Sequence, residues 1–294
     1  MRTVGSNKHS PRLRCLLVWA HSLTLILVFT TVQNHYRKHT STNVTSVRKS
    51  RLDFNSTPTR IAPARVAIVK ACLGESFKYI SEASLNNARN YANYHAYAFL
   101  ELNESTYPAT VFLTPPAWVK IAYLHELLGR IVPYEWVVWF DCDTLVLRQD
   151  FPVELALQEM RVSEHHHLVF TEDDPNNREM APFNSGVFFV RNSDWARKEL
   201  GHVLRLASKT AIRNHGLWEQ EALRVLYVEN KFMEQEHFLI AAARWKFNAF
   251  DRLNEETNET TVWHRTACRT QPSCDDKFNH KAKSINNSFE YATY

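Results

Sequence analysis

The chain has 294 residues, of which 45% are apolar, with a formal net charge of +4 at pH 7. That is enough apolar material for one sizeable core plus a tail, and so mild a charge gives no electrostatic footprint for nucleic acid. With six glycines and neither a Gly-x-Gly-x-x-Gly nor a Walker loop, the composition argues against a glycine-rich phosphate cradle.

Leu16 to Val32 carry no formal charge, and 22 residues separate Arg14 from Arg37. At ~1.5 Å per helical residue they would span about 33 Å, against a bilayer core of roughly 30 Å. Arg2, Lys8, Arg12 and Arg14 precede the stretch and favour a cytoplasmic N-terminus. The expected organisation is a cytoplasmic tail over 1–15, an uncleaved transmembrane signal-anchor over 16–33, and a lumenal remainder. A cleaved signal peptide is the alternative, although no small-x-small cleavage site follows the apolar run. Residues 34–64, rich in Ser, Thr, Asn and Arg, read as a stem. Sequons at Asn43, Asn55, Asn103, Asn258 and Asn286 fit a glycosylated lumenal surface. In an oxidising lumen Cys268 and Cys274 are expected to pair across a short loop, two free thiols being the alternative. Cys15 sits at the membrane edge and Cys142 in the interior, while the sequence gives Cys72 no partner.

The lumenal domain is expected over 65–294. Strands are read at 65–70, 97–100, 136–140, 168–170 and 186–190. Helices are read at 81–95, 118–128 (ended by Gly129), 195–206 and 219–226. This alternation predicts an α/β fold with a mostly parallel sheet covered by helices, whose ligands sit at the carboxyl ends of strands.

One such end carries Trp139-Phe140-Asp141-Cys142-Asp143. Residues i and i+2 of a strand share a side, so Asp141 and Asp143 can hold one hard divalent cation, Mn²⁺ or Mg²⁺. Unpaired strand-end carboxylates are the plainer alternative. Trp136 and Trp139 are expected on opposite faces of the sheet. Glu172, Asp173 and Asp174 form a second acidic cluster, read either as a sugar-hydroxyl site or as a solvated loop. Lys120 is read as reaching a donor phosphate or else as solvent-exposed. His165-His166-His167 reads as an exposed loop, because adjacent histidines converge poorly on one ion.

Several motifs together resemble a known family. They are Asn90-Tyr-Ala-Asn-Tyr-His-Ala-Tyr97, Trp118-Val-Lys-Ile-Ala-Tyr-Leu124 and Glu135-Trp-Val-Val-Trp-Phe-Asp-Cys-Asp-Thr-Leu145. Asn184-Ser-Gly-Val-Phe-Phe-Val-Arg-Asn-Ser-Asp-Trp195 and Glu219-Gln-Glu-Ala-Leu223 complete the set. In order and spacing they resemble the family of fungal Golgi alpha-galactosyltransferases, mannosyltransferases and plant xyloglucan xylosyltransferases, which are retaining enzymes of the GT-A fold. Two positions depart from its pattern: Ala96 replaces the glycine of His-Gly-Tyr, and His264-Arg-Thr-Ala-Cys268 lacks the glycine of the late motif.

The resemblance implies a metal-dependent transferase acting from a nucleotide-sugar donor, UDP-sugar favoured, with galactose ahead of mannose or xylose. It implies His264 as third metal ligand beside Asp141 and Asp143, Glu219 and Gln220 beneath the reacting sugar, and Asn184 as a donor-sugar contact. Gly186 would permit close approach, and Asp141, Lys120 and Asp173 would complete the donor site. The partners implied are a glycan acceptor on glycoprotein, glycolipid or polysaccharide, the Golgi membrane through the N-terminal helix, and homo- or hetero-oligomers there. No nucleic acid is implied. The alternatives are a non-catalytic glycan-binding or assembly subunit that keeps the fold, and a lumenal metal-dependent phosphohydrolase.

Overall fold

A computed structural model describes residues 65–102, 116–130, 132–177, 182–229, 235–266 and 272–292. The expected tail, anchor and stem, and the sequons at Asn43, Asn55 and Asn103, lie outside these residues. Among the described residues no helix is long and apolar enough to cross a membrane.

In chain order the elements are β1 (Val66–Ala71), α1 (Ser81–Tyr94), β2 (Ala98–Leu102), α2 (Val119–Leu128), β3 (Trp136–Asp141), β4 (Thr144–Val146), α3 (Val153–Glu159) and β5 (Leu168–Glu172). There follow β6 (Phe183–Arg191), α4 (Asp194–Leu206), α5 (Thr210–Arg213), α6 (Glu219–Glu229), β7 (Phe238–Ala241), α7 (Arg244–Phe247), β8 (Ala249–Phe250), β9 (Val262–His264) and α8 (Pro272–Ala292). Six strands form one sheet in the order β2-β1-β3-β6-β5-β7. β1 runs parallel to β2 and β3, and β5 parallel to β7, whereas β6 is antiparallel to both its neighbours. The mostly parallel sheet expected from the sequence is therefore mixed, with β6 reversed. About ten residues join β5 to β6, too few for the crossover of a dozen or more that a parallel return requires.

Side chains alternate across this sheet. Val137 and Trp139 of β3 enter a core shared with α2, α4 and α6, while Trp136, Val138 and Phe140 enter one shared with α1 and α3. The two tryptophans thus lie on opposite faces, as their spacing predicts. α4 begins at Ser193, whose hydroxyl accepts from the Ala196 amide, and buries Ala196, Leu200, Val203 and Leu206.

A second sheet, β4-β9-β8, packs on α8 through Leu145, Trp263, Phe278 and Ala282. The chain passes from the large sheet to the small one through two residues, Cys142 and Asp143, between β3 and β4. β1 and β3 pair with Ala71 opposite Asp141, so the next residues, Cys72 and Cys142, lie side by side. They form a disulfide, Cα–Cα 4.9 Å. This gives Cys72 the partner that the sequence could not supply, because a link across 70 residues depends on strand order. Cys142 is buried as expected. Cys274 is disulfide-bonded; its expected partner, Cys268, lies outside the described residues. Of the remaining sequons, Asn258 is exposed and Asn286 half-buried.

α1 closes with Tyr97 N–H donating to the Ala92 carbonyl at 2.8 Å, which places Ala96 in the left-handed region at φ 55°. Glycine is the residue that adopts this conformation without steric cost. Replacing Ala96 by Gly is expected to stabilise the fold by about 0.5–1 kcal/mol, read as a higher midpoint in urea denaturation.

Candidate active site

The turn between the two sheets is held one carbonyl at a time. The Asp141 carbonyl accepts from Thr144 Oγ1 at 2.7 Å, that of Cys142 from Ser84 Oγ and that of Asp143 from the Arg265 amide at 2.8 Å. The Thr144 carbonyl accepts from Lys70 Nζ at 2.7 Å. Lys70 is itself buried, which pulls its pKa down to about 7 against the opposing pull of Asp143 and Asp141. With its backbone fixed, the turn presents both aspartates at the carboxyl end of β3. β9 brings the third group, since it pairs Thr144 with His264. One ligand atom each from Asp141, Asp143 and His264 lies within 4.8 Å of the others, and His264 Nε2 is 3.3 Å from Asp143 Oδ1. This is the group of metal-ligating side chains found among the described residues; His165–His167 does not form another.

His264 is oriented by contacts that the sequence did not disclose. Its Nδ1 lies 2.9 Å from Asn248 Oδ1, and Asn248 is fully buried. Because Asn248 Nδ2 donates to Asn184 Oδ1 at 3.0 Å, its oxygen faces the imidazole and accepts the Nδ1 proton. That leaves Nε2 with its lone pair free to meet a cation. On the other side the ring lies against Gly186, where a Cβ would sit 2.3 Å from His264 Cε1. Close packing at Gly186 thus involves the histidine ring.

Asp141 has one oxygen committed. Its Oδ1 accepts from Trp139 Nε1 at 2.7 Å and from Lys120 Nζ at 2.8 Å. Lys120 is buried, not in solvent, and also pairs with Glu219 Oε1 at 2.9 Å. Burial alone would lower its pKa, but Asp141 and Glu219 outweigh it and hold the ammonium well above its ordinary value. Glu219 opens α6, directly after Trp218, which carries a left-handed φ of 48°. Such strain in a bulky residue is retained where the surroundings over-determine it, commonly at functional sites. Burial raises the Glu219 pKa, with Lys120 pulling the other way.

The remaining predicted residues close a ring. Glu219 Oε1 accepts from Ser185 Oγ at 2.9 Å. Gln220 Oε1 accepts from the Ser185 amide at 2.9 Å and its hydroxyl at 3.1 Å, while Gln220 Nε2 donates to Asp173 Oδ2 at 2.9 Å. Asp173, whose pKa is raised by burial, also bonds the Asn184 side chain, and Asn184 leads through Asn248 and His264 back to Asp143. Asp173 and Asp174 are buried, with Arg252 2.9 Å from Asp174, so this acidic cluster is not a solvated loop. Ser185, Asn248 and Trp139 were missed as site residues. The signal for Asn248 was a lone amide in the apolar stretch Phe247-Asn-Ala-Phe250.

A sequence profile of the galactosyl transferase GMA12/MNN10 family matches residues 69–275, which contain every residue of this ring. The chain belongs to that glycosyltransferase family. It is 32% identical over 73 residues to an alpha-1,2-galactosyltransferase of Schizosaccharomyces pombe, covering 25% of this chain and 20% of that protein. It is 23% identical over 169 residues to the probable alpha-1,6-mannosyltransferase MNN10 of Saccharomyces cerevisiae, covering 50% and 42%. The matches thus span less than half the length of these relatives. A glycosyltransferase involved in the glycosylation of the major capsid of PBCV-1 superposes with a TM-score of 0.60 at 16% identity, over 73% of this chain and 98% of that one. This likeness shows the α/β glycosyltransferase fold.

Two outcomes follow for this member of the family. Gly186→Ala must displace the His264 ring and Asn248→Leu must free it, so each should weaken Mn²⁺ binding by about 10–100-fold, measured by isothermal titration. Lys120→Met leaves Asp141 and Glu219 without their shared cation and should destabilise the metal-free protein by roughly 3 kcal/mol, measured by urea denaturation.

Proposed function

We propose that the protein is a metal-dependent, retaining alpha-glycosyltransferase that moves a sugar from a nucleoside diphosphate donor to a glycan. The observation that carries this reading is the convergence of Asp141, Asp143 and His264 on the same ring as a buried carboxylate, Glu219. Two carboxylate oxygens and an imidazole nitrogen suit Mn²⁺ or Mg²⁺, and the tautomer set by Asn248 leaves the right nitrogen free. Asp141, Asp143 and His264 would hold the ion. When bound, it would neutralise the departing nucleoside diphosphate.

Glu219 Oε2 is buried without a hydrogen-bond partner, an arrangement that costs free energy in a site with no other use for it. Placed beneath the reacting sugar, this oxygen steadies the positive charge that develops as the bond to phosphate breaks. Its other oxygen is tethered by Lys120 and Ser185, which favours a fixed electrostatic group over a nucleophile that must advance on the anomeric carbon. The acceptor hydroxyl then attacks from the face the phosphate leaves, and a phosphate oxygen takes its proton. Gln220 braces Ser185 and Asp173.

UDP-galactose is the favoured donor, followed by mannose and xylose donors; the galactosyl- and mannosyltransferase names of the relatives support the first two. The Cys72–Cys142 disulfide suits an oxidising lumen, in keeping with a Golgi enzyme anchored by residues 16–33 that acts on glycans of glycoproteins, glycolipids or polysaccharides.

The test is nucleotide release by the full chain from UDP-galactose, UDP-xylose and GDP-mannose. Release from one donor in Mn²⁺, abolished by EDTA and by Asp143→Asn, is expected. Glu219→Gln should lower kcat by about 10²–10³-fold. No release from any donor by folded protein would leave the glycan-binding reading, and hydrolysis of simple phosphate esters would point to a phosphohydrolase.

A further inference from the structure

We propose that the Cys72–Cys142 disulfide is a positioning element of the metal site, making tight cation binding a property of the oxidised protein. The proposal rests on Asp141, Asp143 and His264 being the metal ligands.

Cys142 is the residue between the two aspartates, and its side chain points away from them. It is 2% exposed and packs with Ile80, Leu145, Trp263 and Phe278 beneath the small sheet. From there it can pin the turn without entering the cation's coordination shell. The bond joins the turn to the first residue past β1: Ala71 still pairs with Asp141, Cys72 is bonded to Cys142, and Gly74 has a positive φ of 86°. Beyond Ala71 no strand pairing holds the two segments together.

The load on this link is electrostatic. Without a cation, the two carboxylates sit close together across a turn of two residues, Asp141 beside Lys120 and Asp143 beside His264, and their mutual repulsion favours spreading them. The hydrogen bonds to the turn end on carbonyl oxygens. They come from Lys70 of β1, which reaches the Thr144 carbonyl, from Ser84 of α1, from Thr144 within the turn and from the residue after β9, and none of them is covalent. The disulfide ties the middle of the turn covalently to the central sheet. Reduction exchanges that bond for two thiols, a dithiol reductant giving up two electrons and two protons and becoming a disulfide itself. Cys72 is only half-buried, so the bond is approached from that side.

The experiment is Mn²⁺ binding by the full chain, followed through the free-ion electron paramagnetic resonance signal, in oxidised wild type and in Cys72→Ser. The variant should bind at least ~10-fold more weakly, as when an outer-shell support of a metal site is removed. In turnover the variant should show a raised apparent KM for Mn²⁺ and a kcat restored by excess Mn²⁺, a split that a general loss of folding would not produce. If Cys72→Ser fails to fold, wild type reduced with a phosphine under native conditions, its folding checked by circular dichroism, supplies the comparison. Affinities within twofold between oxidised and disulfide-free protein would overturn the proposal while leaving the metal site intact. Failure of oxidised wild type to bind Mn²⁺ at all would overturn the metal reading and this proposal with it.

Discussion

The turn from Asp141 to Thr144 governs where Asp141, Asp143 and His264 come together. It is the junction of the large sheet and the small one, and four elements of the protein fix its carbonyls. β1 supplies Lys70, α1 supplies Ser84, the residue after β9 supplies the Arg265 amide, and β4 closes the turn on itself through Thr144. A backbone held so tightly costs conformational entropy, and what it secures is the direction of two carboxylates. The small sheet then has a clear purpose: its three short strands carry His264 to the same point.

Charge accounts for the groups that surround this turn. Lys120 is in contact with both Asp141 and Glu219, while Asp143 has the neighbouring His264 imidazole, the Arg265 guanidinium and the buried Lys70 ammonium around it. Burial would raise the Asp143 pKa, yet His264 and Arg265 outweigh it and keep the carboxyl below its ordinary range. The site therefore gathers two carboxylates and an imidazole at one point, the donor set a divalent cation would take. The uncharged members of the ring do a different task. Ser185, Gln220, Asn184 and Asn248 pass hydrogen bonds from one side of the site to the other, so that Glu219 and His264 are positioned by one connected network.

Much of this was legible in the sequence, for reasons that differ by residue. Trp136 to Asp141 announced itself because a fully buried strand is a continuous apolar run, and the two aspartates stood at its end. The helices over 81–94, 119–128 and 194–206 have a helical period long enough to read. β4, β8 and β9 are two or three residues long, too short to show any period, and the small sheet was accordingly invisible. The reversal of β6 was hidden because strand direction depends on the length of a connection and not on the strand's own residues. Gly186 was legible as a place of close approach, but its partner, the His264 ring, comes from a strand more than seventy residues away. Cys72 and Asn248 were opaque in the same way, since their roles exist only once the strand order is known. Ala96 is the reverse case: the family pattern marked it as a substituted glycine, and the structure puts it in the conformation that glycine favours.

Anomalous diffraction from crystals of the protein soaked with Mn²⁺ and UDP would test the metal site outright. One manganese peak coordinated by Asp141, Asp143 and His264 Nε2, with the diphosphate on its open side, is expected. An empty position there in an otherwise ordered turn would overturn the assignment.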